Sequence, residues 1–134
     1  MKEKQVKTTR IIYITLFAEI IIFAFIIFLI NDFSIPNQTL DETFFVVNSI
    51  MLFAIPVAVF VRKKMIETIK PDTTEDTRFV KIRTANLMLW TVISAVAMFS
   101  LVSMLLFYHY AHLVLAAFCF AALLATRPKS NMFD

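Results

Sequence analysis

Polar and apolar residues fall in long alternating blocks along this chain. A polar decapeptide, MKEKQVKTTR, leads into an apolar run from Ile11 to Ile30 that carries one charge, Glu19. The loop NDFSIPNQTLDE follows, and a second apolar run extends from Thr43 to Val61. Residues 62–83 are largely polar. A third apolar block, 84–107, turns at Tyr108-His109-Tyr110 into a fourth, 111–126. About 20 apolar residues at 1.5 Å per residue span the ~30 Å hydrocarbon core of a bilayer. The blocks therefore predict an all-α integral membrane four-helix bundle, one domain, with spans at about 11–30, 43–61, 84–107 and 111–126.

Punctuation between the blocks refines the elements. Pro36-Asn37 marks a turn, and Thr39 or Asp41 is placed to cap the second helix. Pro56 lies inside that helix. It has no N–H for the carbonyl of Leu52 and predicts a kink there. Past Arg62-Lys63-Lys64, the residues Met65, Ile66 and Ile69 keep helical spacing until Pro71. Asp72 and Glu75 stand at capping-box spacing, with Asp76 adding negative charge to the next first turn. Helices two and three should thus extend past the bilayer as a short cytoplasmic hairpin. A third helix from Thr74 to Phe107 would be ~50 Å long.

Composition agrees with a membrane class: 60% of the residues are apolar and 17% charged, and the mean hydropathy is +0.78. All thirteen Lys and Arg residues lie in the N-terminal decapeptide, in 62–83 or after Thr126. Such a bias predicts both termini in the cytoplasm, and the abundance of Ile, Phe and Lys without glycine suggests a bacterial plasma (inner) membrane. The bias also explains the net charge of +3 without nucleic acid, so the bilayer is the first partner expected. Arg62, Lys63 and Lys64 should sit among its headgroups. Trp90, Tyr108 and Tyr110 are expected at the interfaces. A cleaved signal peptide is disfavoured, because its apolar core would be about 7–15 residues.

Glycine is absent, which excludes glycine-rich phosphate loops and Gly-xxx-Gly contacts. Cys119 is the single cysteine, so there is no internal disulfide. It reads as an inert small residue, facing lipid or core. No cofactor or metal site is expected. His109 and His112, spaced i, i+3, make an incomplete metal shell and read as interfacial residues.

Glu19 is the sharpest candidate. It lies ~17 Å from the far end of its helix, and a charge at such depth costs roughly 2.5–3.5 kcal/mol. It should face the bundle interior, with Ser94 and the Leu52 carbonyl as partners at its level. It reads either as a proton- or cation-binding site or as an acid hydrogen-bonding two helices. Ala117, Ala121 and Ala125 form a small-residue ladder suited to close packing inside the bundle, with a dimer face as the alternative. Ser94, Ser100 and Ser103 read as polar seams between helices. No catalytic set is evident.

Arg83-Thr84-Ala85 opening the third span and Arg127-Pro128-Lys129 closing the fourth resemble uncharacterised small four-helix bacterial inner-membrane proteins, for which no activity is established. In length, helix number and the pair Ala18-Glu19, the chain is also similar to the small multidrug resistance transporters. There the matching glutamate exchanges protons for cationic drugs. The later helices here lack that family's glycines, and the complete charge bias departs from it. The expectation is a non-enzymatic accessory, assembly or scaffold component that contacts another membrane protein or itself. A small proton-coupled transporter using Glu19 is the alternative.

Overall fold

A computed structural model describes residues 2–36 and 41–128. It consists of five helices: α1 (Lys2–Ile30), α2 (Glu42–Met51), α3 (Ala54–Glu67), α4 (Glu75–Leu106) and α5 (Tyr110–Ala125). Among the described residues there is no strand. α2 and α3 continue one another, so the chain forms four rods. The stretches Glu3–Ile30, Glu42–Glu67 and Glu75–Leu106 are long and apolar enough to cross a membrane. α5, which corresponds to the fourth expected span, has 16 residues and a length of ~24 Å.

Helix α1 begins nine residues before the apolar run. Its polar first turns are held by tertiary contacts. Val6 packs against the cluster of Ile69, Phe79 and Ile82, and Arg83 Nε donates to the buried Thr9 Oγ1 at 2.8 Å. At the other end the chain has no glycine to supply a left-handed cap. Asp32 and Phe33 take that role with φ of 53° and 55°, at a cost of roughly 1–2 kcal/mol per residue. The Phe33 N–H then reaches the Phe28 carbonyl at 2.8 Å, and its ring meets that of Phe25 at 5.8 Å.

Asp41 caps α2, its Oδ1 accepting from the Phe44 N–H at 3.0 Å. Thr39, the other candidate, and the Asn37 half of the expected turn lie outside the described residues, as does Lys129. The rod breaks at Leu52-Phe53, in the region where Pro56 predicts a kink. The Leu52 carbonyl, which Pro56 cannot pair with, accepts from Ile55 N–H at 3.1 Å. Pro56 itself is exposed, and Ile55 and Ala58 are the packing residues of α3.

The α3–α4 hairpin is present, closed by a turn around Pro71. The cap of α4 differs from the expected Asp72. Thr74 does this work, its Oγ1 accepting from the Thr77 N–H at 3.4 Å and bonding the Thr77 hydroxyl at 2.8 Å.

α4 is the axis of the assembly. It packs against α1, α3 and α5, with a smaller contact to α2. Leu89, Trp90, Ile93, Ala97, Leu101 and Met104 on it are fully enclosed. The end of the assembly that holds the α3–α4 turn also holds the described basic residues. The opposite end holds the α1–α2 loop and the α4–α5 turn. These are joined by Tyr108 OH to the Ser34 carbonyl at 2.6 Å and Tyr110 N–H to the Pro36 carbonyl at 3.1 Å.

Candidate functional site

Two polar features stand apart from the apolar packing. The first is an amide, an imidazole and a hydroxyl gathered from three helices near the end opposite the basic residues. Asn48 of α2, Ser100 of α4 and His112 of α5 are each fully buried. Ser100 Oγ donates to Asn48 Oδ1 at 2.7 Å, and Asn48 Nδ2 lies 3.3 Å from His112 Nδ1. Ser100 Oγ also lies 3.1 Å from the Val96 carbonyl. The amide is thus spent on both neighbours. Whichever way it is turned, one imidazole nitrogen is satisfied, and His112 Nε2 is left buried without a hydrogen-bond partner.

His112 was expected at the interface and is instead in the core. The reason lies in the register of α5. Its inward stripe is His112, Ala116, Cys119 and Leu123. The ladder Ala117, Ala121 and Ala125 is one position round the helix and faces outward. The expectation of internal packing for that ladder is therefore corrected. A helix that is apolar on every side gives no periodic signal for which face is buried. Ala117 alone borders a groove between α1 and α5, of about 250 Å³, together with Ile20, Ala24 and Phe120. His109 caps α5, its Nδ1 accepting from the Ala111 N–H at 3.0 Å.

The second feature is Glu19. It is exposed on the flank of α1, not turned into the core. The inward face of α1 is Tyr13, Ile20 and Ile27. Glu19 lines a groove of about 520 Å³ with Thr15, Ala18, Ile22 and Met98. Among the described residues it has no hydrogen-bond or ion-pair partner. Ser94 is buried on α4 and is not bonded to it, and the Leu52 carbonyl is taken by Ile55. The structure therefore does not bring the three together.

The basic trio splits. Arg62 is half-buried and donates from Nη1 to Asn86 Oδ1 at 3.2 Å. Lys63 is exposed and lies 3.9 Å from Glu67. Lys64 is exposed, 5.6 Å from the centre of the Phe60 ring. Trp90 and Tyr108 are buried rather than interfacial, whereas Tyr110 is exposed. Trp90 Nε1 donates to the Thr126 carbonyl at 2.9 Å and Tyr13 OH to the Leu123 carbonyl at 2.6 Å. The two rings meet edge to face at 5.1 Å. Both donors thereby satisfy carbonyls that the last turn of α5 leaves unpaired. Ser94, Ser100 and Ser103 are all buried; Ser100 bonds across to α2, whereas the Ser103 hydroxyl donates to the Phe99 carbonyl of its own helix at 2.9 Å. Among the described residues no group of three His, Cys, Asp or Glu side chains could hold a metal.

Sequence reasoning noted Ser100 and His112 separately but missed their junction through Asn48. The available signal was a helix with one imidazole in line with Ala116, Cys119 and Leu123. Set against known protein families, characterised proteins and solved structures, the chain matches none.

Proposed function

We propose that this is a multi-pass protein of the plasma membrane, a four-helix bundle with both termini and the α3–α4 hairpin on the cytoplasmic side. On this reading it acts as a non-enzymatic accessory or assembly subunit of another membrane protein. The carrying observation is the position of Glu19. A carboxylate midway along the apolar run of α1 opens outward, with no partner among the described residues. An ionisable group at such depth calls for a facing polar group, and here that group would come from another chain. The interior polar residues support the same reading. Asn48, Ser100, Tyr13 and Trp90 are engaged in joining one helix to the next. The confinement of the basic residues to one end supports the orientation.

Purification from the native host in gentle detergent, followed by native mass spectrometry, tests the proposal. A stoichiometric partner protein is the expected result. A protein that runs alone overturns it, as does one that by itself moves a solute across liposomes.

A small proton-coupled transporter using Glu19 is the second reading, favoured by the groove beside that carboxylate. It has less support, because Ser94 and the Leu52 carbonyl do not gather around Glu19. Unchanged flux in a Glu19→Gln variant would end it.

A further inference from the structure

The groove beside Glu19 narrows the chemistry of the partner. α1 and the α2–α3 rod both lie on α4, and among the described residues no Cα of one comes within 8 Å of a Cα of the other. The open side of α4 carries Thr91, Ala95 and Val102 exposed, with Met98 half-buried. Along α1 the groove runs from Ile14 to Ile26, which is ~18 Å or three helical turns. Apart from Glu19 its one polar side chain is Thr15, whose hydroxyl is spent on the Ile11 carbonyl at 2.8 Å.

We infer that this groove seats a single transmembrane helix of a partner protein, and that this helix brings a Lys or Arg side chain to Glu19. The inference rests on the accessory reading above. The protein's own cations cannot serve. Each lies in a terminal or hairpin segment, and the nearest along α1, Arg10, is ~14 Å from Glu19 on the helix axis. A second copy in the same orientation, related by a twofold axis along α1, would set carboxylate against carboxylate. A free hydrated cation would lose its water against apolar walls that offer nothing in return. A cation carried midway along an apolar transmembrane helix is already out of water before it meets this protein. Pairing with Glu19 relieves both charges at once.

The test uses the full-length protein in lipid bicelles and synthetic polyleucine transmembrane peptides. One peptide carries a single central Lys, one carries Leu there, and one carries Lys two turns away. Association is read by energy transfer from a label at the C-terminus of the protein. The central-Lys peptide should bind the wild type at least about tenfold more tightly than it binds Glu19→Gln. The Leu peptide should bind the two alike, and Glu19→Asp should keep most of the preference. Helicity and the inaccessibility of Cys119 check that each variant is folded.

Equal binding of the Lys and Leu peptides to the wild type overturns the inference. Self-association that is lost in Glu19→Gln without any peptide also overturns it, and places a second copy in the groove. If the peptides fail while native mass spectrometry still finds a stoichiometric partner, the accessory reading stands and the contact lies elsewhere. Failure of both removes both.

Discussion

At the scale of single residues, the Asn48 side chain carries the most structural consequence in the core. Among the described residues it links the Ser100 hydroxyl to the His112 ring. Asn48→Ala would leave both imidazole nitrogens unpaired, while Ser100 could still donate to the Val96 carbonyl. A buried polar group without a partner costs about 1–3 kcal/mol. Asn48→Ala should therefore destabilise the protein by at least that amount. Ser100→Ala, which strands one amide oxygen, should cost less, about 1–2 kcal/mol on the same reasoning. Equilibrium unfolding in mixed micelles checks both, and equal costs would show that His112 gains nothing from the amide. The polar character of Asn48 was legible in the sequence, but its partner was not. α5 is apolar on every side, so the choice between the stripe through Ala116 and the ladder through Ala117 is made by neighbouring helices. Glu19 fails in the same way. Its depth follows from counting along α1, yet its outward direction depends on which face of α1 meets α4.

Among the elements, boundaries set by local chemistry were legible and boundaries set by tertiary contact were not. Asp41 caps α2 as its position predicts, because the cap is a bond to the backbone three residues on. Asp72 has the right spacing to Glu75, but Thr74 holds the first turn of α4. Thr74→Ala should cost about 1 kcal/mol and speed hydrogen exchange of the amides of residues 75–78, whereas Asp72→Ala should leave that exchange unchanged. The early start of α1 was invisible, since it depends on Val6 meeting the cluster of Ile69, Phe79 and Ile82 across the fold. The α2–α3 break combines both levels. Pro56 removes one N–H, and Ile55 then takes the Leu52 carbonyl in a tighter turn. Pro56→Ala returns an N–H to pair with that carbonyl in the regular i→i−4 pattern. The rod should straighten, so spin labels at Val47 and Phe60 should move apart. An unchanged distance would assign the break to packing against α4 rather than to proline.

For the whole molecule, charge sorting is the most legible feature, because it needs only the order of the blocks. Residues 62–83 and both chain ends hold every Lys and Arg, and the described ones lie at one end of the assembly. The open side of α4 was not legible, since four apolar blocks do not reveal that α1 and α3 stay apart. The two features together make orientation testable with the chain's own chemistry. Cys119 is the single cysteine and is fully buried. In intact membranes the wild type should therefore resist a membrane-impermeant thiol reagent and react only after unfolding. With Cys119→Ala as background, Lys63→Cys and Ser34→Cys each place one exposed thiol at an opposite end of the assembly. If positive charge sets the orientation, Lys63→Cys should be labelled only when the cytoplasmic face is opened to the reagent, and Ser34→Cys in sealed cells. The reverse pattern would invert the protein. Labelling of both thiols from one side would show that the helices do not cross the bilayer, and the length and apolarity of α1, α2–α3 and α4 would then need a different host surface.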